Sequence, residues 1–224
     1  MVTGHGPTLL EQISSGVGSV AKLATAVAPA IAAINTESKY LDITAAVTAH
    51  TPGTSDVIRN LTGEIIQGVN DSQRIGNSIL IRDLQIRLAH NFNATLGSPN
   101  VQGIHCRMML VCWKENVNAN PITAAKLFES PPNLYSPVNK DYSDQFVVLK
   151  DKFFSLNNSA GLAGPSAFTT QKLFKKINWH ARFQGATAFD STQNHVYLVL
   201  RSSAPGVTNA LATTFYSRMN FTDN

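Results

Sequence analysis

The sequence predicts an all-β fold: eight antiparallel strands in a sandwich or barrel, with an N-terminal arm ahead of them. Three observations predict it. Apolar stretches of strand length recur along the chain, separated by polar loops that contain Gly and Pro. Helical spacing is confined to residues 1–38 and to one short stretch, 122–128. Strands and helices do not alternate, and no repeat of fixed period occurs, which excludes a doubly wound parallel sheet.

The arm, residues 1–38, is rich in Ala, Gly, Ser and Val. Within it Ile13, Val17, Val20, Ala24, Val27, Ile31 and Ile34 recur three and four apart, which lays an apolar stripe on one face of a helix. Gly16, Gly18 and Pro29 interrupt that helix. Such a stripe docks on the domain or on neighbouring arms, and it also fits contact with a membrane surface. The β domain is expected over residues 39–224. Tyr40 to Ala49 reads as the first strand, ended by Thr51-Pro52-Gly53, and Val57 to Ile66 as a short second one. Ser78 to Phe92 is long, with Leu80, Leu84, Ile86 and Leu88 on one face. Ile104 to Trp113 alternates with Ile104, Cys106, Met108, Leu110 and Cys112 on one side. An excursion over residues 115–143 follows. It holds one helix, Ile122 to Phe128, with Thr123 near its start, and Pro131, Pro132 and Pro137 keep the remainder irregular. Gln145 to Leu156, Thr169 to Phe183, His195 to Arg201 and Thr213 to Phe221 complete the strands.

Apolar residues make up 43% of the chain and charged residues 14%, against roughly 25% charged in ordinary globular proteins. Low charge suits a subunit that buries surface against neighbours. The net charge of +4 is mildly basic, which admits nucleic acid as a partner. Cys106 and Cys112 lie six apart in one strand, roughly 20 Å, while a disulfide needs Cα atoms within about 7 Å. They are expected as buried, reduced thiols. Phosphate-loop, dinucleotide, zinc and nucleophile-elbow patterns are absent. His5, His50, His90, His105, His180 and His195 are scattered, and Asp141, Asp144 and Asp151 lack a ligand loop, so neither set makes a metal site; no catalytic residue and no cofactor are expected.

The strand at 169–183 is the most two-faced. Leu173, Ile177, Trp179, Ala181 and Phe183 share one face, and Lys172, Lys176, His180 and Arg182 share the other. Lys175 breaks the apolar face and marks a bulge or an edge. The basic face can meet phosphates, or it can be an ordinary solvated surface. Arg82, Arg87 and Arg218 add cations on other strands, and Tyr216 shares a face with Arg218, where an aromatic can stack on a base.

Residues 64–88 carry the most specific wording. Gln67-Gly68, then Asp71-Ser72-Gln73-Arg74-Ile75-Gly76-Asn77, then a long alternating strand, resembles the capsid proteins of small circular single-stranded DNA viruses. Asn35 to Asp42, Phe146 to Phe153, Phe174-Lys175-Lys176-Ile177, Asn194 to Leu198 and Ser217 to Asp223 are similar to segments of those proteins, in the same order. The resemblance implies an eight-stranded jelly-roll sandwich. In it the first, eighth, third and sixth strands face the second, seventh, fourth and fifth. It implies self-assembly into a closed icosahedral shell of about 60 copies around a short single-stranded DNA genome. The protein would reside in the virion, with assembly inside the host cell. One sheet would line the interior and turn Arg87, Lys172, Lys176, Arg182 and Arg218 toward the viral nucleic acid, with Tyr216 beside them. Loops 51–56, 93–102, 157–167 and 203–209 would share one end of the sandwich, and the 115–143 excursion the other. One departure is clear: family members begin with a basic arm, whereas residues 1–38 contain Lys22 and no Arg. The alternative is a soluble β-sandwich binding module, lectin-like or nucleic-acid-binding, distinguished by its size in solution. A cupin-type enzyme would need a cluster of His and carboxylates that the sequence does not gather.

Overall fold

A computed structural model of the chain describes residues 37–48, 56–92, 103–157, 167–187, 191–203 and 211–223. The strands are β1 Ser38–Thr48, β2 Val57–Asn60, β3 Ser78–Phe92, β4 Gly103–Trp113, β5 Phe146–Asn157, β6 Ala167–Phe183, β7 Ser191–Gln193, β8 His195–Ser202 and β9 Leu211–Asp223. They form two antiparallel sheets, one ordered β1-β9-β3-β6-β7 and the other β2-β8-β4-β5. Apart from β7, a three-residue addition at one edge, this is the expected jelly-roll order. The arm and most of the loops expected at one end lie outside the described residues. The strand ends those loops join do sit side by side: Thr48 pairs with Ala212, and Phe92 with both Leu211 and Ala167. Similarly, Gly103 pairs with Asn157 and Cys106 with Ser202.

The main core lies between the sheets. Ile43, Ile86, Leu88, Phe215, Met219 and Phe221 of the five-stranded sheet meet Met108, Leu110, Val196, Leu198 and Leu200 of the other. Cys106 and Cys112 are free and buried, and burial pushes both thiols up to about 12, so they stay protonated and unreactive.

β3 departs from simple alternation. Ile79 and Ile81 point inward, then Leu84, Ile86, Leu88 and His90 do. The switch is a bulge. Against β9 the partners run from Ile81 with Phe221 to Asp83 with Asn220, which leaves Arg82 as an extra residue. β6 adjusts on the other side, where Asn178 takes φ 50, a left-handed conformation that Asn tolerates better than most residues. Leu80 therefore lies off the core face on which alternation alone would place it. The irregularity on β6 is at Asn178; Lys175 keeps the inward phase, pairs with Leu84 and lies where β6 is the edge of the sheet among the described residues.

The expected second strand is shorter than predicted. After Asn60 its side chain folds the backbone back, with Oδ1 accepting from the N–H groups of Thr62 and Gly63. Thr62 Oγ1 in turn lies 2.7 Å from His195 Nδ1, and His195 Nε2 donates to the Arg182 carbonyl at 2.9 Å. Burial pushes His195 down from 6.5 to about 4. The unfolded chain thus takes up this proton before the folded one does. Stability carried by neutral His195 is full above pH 6.5 and is lost as pH falls toward 4, amounting to about 3 kcal/mol over that window. Denaturant unfolding at pH 7 and pH 4 is expected to show this loss, and His195→Gln is expected to remove most of the slope.

The excursion does not sit at the end of the sandwich. It runs along the outer face of the four-stranded sheet and builds a second core there. Met109, Val111, Trp113, Tyr197 and Val199 of β4 and β8 pack against Leu127 and Phe128. β4 and β8 are thus buried on both faces. The predicted helix shortens to one turn, α1 (Ala124–Leu127), capped by the Thr123 side chain. The Pro-rich part is fixed by two buried arginines that pair across β4 and β8, Arg107 and Arg201. Arg107 donates to the carbonyls of Leu134 and Ser136 and forms a two-bond ion pair with Asp151. Arg201 donates to the carbonyls of Pro131 and Asn133 and to Asp56, and its guanidinium lies 3.9 Å from the Phe128 ring centre.

The turn ahead of β3 is held the same way. Arg74 is buried, lies over the Phe183 ring and donates to the carbonyls of Gly76 and Gly185. Buried Lys39 ties Asp223 to the Gln73 carbonyl. Gly68 lets the Gln73 side chain reach the Asn70 N–H, since a Cβ at position 68 would fall 2.0 Å from Gln73 Oε1. The turn ahead of β3 is thus held by buried side chains, and it presents Ile66, Val69 and Ile75 to solvent.

Candidate nucleic-acid interface

Among the described residues, nothing covers the outer face of the five-stranded sheet. Its side chains form a grid set by strand register. In one row Tyr216, Arg87 and Lys172 sit on β9, β3 and β6 as direct neighbours. In the next row Asp42, Arg218, Gln85 and Phe174 follow from β1 to β6. The third row holds Asn220, Asp83 and Lys176. Inward residues of the same strands fill the core, so alternation forces these outward. The bulge decides the row positions. Had the phase set by Ile79 and Ile81 continued, Gln85 and Arg87 would point into the core.

The structure thus brings together Arg87, Lys172, Tyr216 and Arg218, with Lys176 one step along β6. Arg182 shares the face but lies near the other end, roughly 20 Å from Lys176 along the strand. There it pairs with Ser78 and Gln193 and lines a polar depression with Asn77, Asn116 and Gln184. Exposed Arg82 sits at the bulge. Among the described residues, six cations on this face stand against two carboxylates, Asp42 and Asp83.

The carboxylates single out one cation. Arg218 donates through Nε and Nη2 to the two oxygens of Asp42 at 2.7 and 2.6 Å, and lies 4.9 Å from the Tyr40 ring centre. That bond holds the Asp42 carboxyl below its usual value and keeps it charged. Much of the field of Arg218 is therefore answered within the sheet. Asp83 accepts from Asn220 at 2.8 Å. Arg87, Lys172 and Lys176 project as exposed charges beside them.

Two shallow depressions meet on the grid. One is lined by Gln85, Arg87, Tyr216 and Arg218, the other by Gln85, Arg87, Lys172 and Phe174 among others. Solved structures match the chain at low identity. One chain of the Desmodium yellow mottle tymovirus structure matches at 10% identity, covering 84% of this chain and 89% of that one, with a TM-score of 0.31. A chain of the empty head of turnip yellow mosaic virus matches at 13% identity, covering 82% and 81%, with a TM-score of 0.31. The tobacco streak virus coat protein matches at 8% identity, covering 82% and 86%, with a TM-score of 0.33. No protein-family model and no curated sequence matches the chain. Likenesses this remote decide nothing about function, and the jelly roll stands on its own strand order.

Phe174 is the residue that sequence reasoning missed. It is 56% exposed, between Lys172 and Lys176 on the same strand face. The signal was present: in Lys172-Leu173-Phe174-Lys175-Lys176, alternation with inward Leu173 already sends Phe174 out. Asp42 was missed as well, because only pairing of β1 with β9 sets it opposite Arg218. Among the described residues the histidines do not cluster. His90 bonds Thr213 at 2.8 Å and His105 bonds Ser155 at 2.8 Å, in different sheets. Asp151 is engaged by Arg107, and among the described residues no cluster of metal-ligating side chains occurs.

Proposed function

We propose that the chain is a viral coat subunit. Copies of it assemble into a closed icosahedral shell of about 60 subunits, with the outer face of the five-stranded sheet turned inward onto a short single-stranded genome. The observation that carries this reading is the one-sided distribution of charge. Arg87, Lys172 and Lys176 project from the outer face of the five-stranded sheet, while the 115–143 excursion covers the other sheet over β4 and β8. A sheet face can take the place of the basic arm that residues 1–38 lack. Neutralising phosphate charge needs no base sequence, which is what enclosing a whole genome requires. Exposed apolar groups at separate places on the rim, Val69 and Ile75 on the turn and Tyr135 and Phe153 on β5 and the excursion, suit contacts between copies. The resemblance in residues 35–223 supports the same reading and implies DNA as the genome. Catalysis plays no part in it.

The test is negative-stain electron microscopy of the purified full chain, with absorbance at 260 and 280 nm on the same fraction. Uniform closed shells with an elevated ratio are expected, and the extracted polymer is expected to yield to DNase and not to RNase. A monodisperse 24.2 kDa particle across salt and pH would replace the coat reading with the soluble binding module.

A further inference from the structure

An exposed phenylalanine in the middle of a strand loses free energy unless something covers it. The neighbours of Phe174 on the grid are Lys172, Lys176 and Gln85, with Arg87 and Asp83 on the diagonals. Among the described residues no apolar patch continues from it, so a protein surface docking there would bury those charges to reach one ring. A partner that offers both a flat apolar face and negative charge avoids that cost. Nucleobases on a phosphate backbone have this pairing.

Tyr216 supplies a second aromatic. It lies two strands over and one row along from Phe174, about 12 Å by strand spacing and rise. Arg87 stands between them, on the wall shared by the two depressions, one walled by Phe174 and the other by Tyr216. Bases within a duplex strand are stacked about 3.4 Å apart and have no free faces. Rings about 12 Å apart can each take a base only from a strand whose bases are unstacked and unpaired.

We propose that this face binds unpaired nucleic acid selectively, with one base on Phe174, another on Tyr216, and the phosphate between them at Arg87. This rests on the coat reading for its single-stranded partner and adds the mode of contact and the selectivity it produces. Gln85, at the junction, offers its amide to a base edge or a phosphate without demanding one sequence.

Fluorescence anisotropy of the full chain with an oligo-dT and with a hairpin duplex of equal length, over a salt series, tests it. The single strand is expected to bind more tightly. Phe174→Ala is expected to weaken oligo-dT binding roughly tenfold, leave duplex binding and the salt slope unchanged, and be rescued by Phe174→Trp. Lys172→Gln with Lys176→Gln is expected to weaken both polymers and flatten both salt slopes. Because Phe174 is exposed, its loss is expected to leave the thermal melt unchanged. If Phe174→Ala binds like the unaltered chain while the lysine variant fails, stacking is wrong and the coat reading stands. Equal affinity for both polymers overturns the selectivity, and binding to neither overturns the nucleic-acid face of the coat reading together with this proposal.

Discussion

Replacing Arg201 with alanine is expected to cost the fold about 4 kcal/mol, the largest loss from any single change considered. Arg201 has no exposed side-chain surface, and its partner Asp56 is 7% exposed. Removing the guanidinium leaves that carboxylate buried without its cation. It also strands the carbonyls of Pro131 and Asn133, and takes the cation from the face of Phe128. The loss reads out as a lower denaturant midpoint with a nearly unchanged slope. Converting both partners, Arg201→Met with Asp56→Leu, is expected to recover part of the stability because no unpaired charge remains. If Arg201→Ala unfolds at the same midpoint as the unaltered chain, the guanidinium does not anchor the excursion. Arg218→Ala breaks an equally close ion pair at the surface and is expected to change stability little, since water already screens it.

Reversing three charges, Arg87→Glu, Lys172→Glu and Lys176→Glu together, is expected to leave shells that form but carry almost no nucleic acid. All three side chains are exposed, so the sandwich keeps its core. Each phosphate contact removed takes about 0.7 from the logarithmic salt slope of single-strand binding, so the slope is expected to fall by about 2. The absorbance ratio of sedimented shells should drop to that of protein alone. Shells of the triple variant with an unchanged ratio would show that the genome is held elsewhere. The residues 1–38 would then be the next place to look.

Strand order was legible from the sequence because apolar alternation and loop composition are local, and the resemblance supplied the topology. Other features were not legible, for physical reasons. A bulge is one residue, and Ser78 to Phe92 reads as an unbroken alternation in either phase; only pairing with Phe221 and Asn220 reveals the shift at Arg82. Arg74, Arg107 and Arg201 look like surface charges, because sequence does not show the backbone carbonyls that satisfy them from 131–136 or from Gly185. The excursion appears loop-like for its prolines, yet it covers a sheet face. The hint was in β4 and β8, where Met-Met-Leu-Val-Cys-Trp and Val-Tyr-Leu-Val-Leu are apolar on both faces. On the outer face of the five-stranded sheet, the outward direction of Arg87, Lys172, Lys176 and Tyr216 is legible from alternation. Arg182 shares that face but lies roughly 20 Å from Lys176 along the strand. The pairing of Arg218 with Asp42 is not legible, because the two are 176 positions apart.

The two buried arginines grip the 131–136 stretch by its main chain, and every residue type has a carbonyl. The path of that segment is therefore decoupled from the identity of its outward side chains, such as Pro132 and Tyr135. Substitution can rewrite that surface while the scaffold beneath it stays fixed. For the same reason it is the natural place to graft a fluorophore or a short epitope.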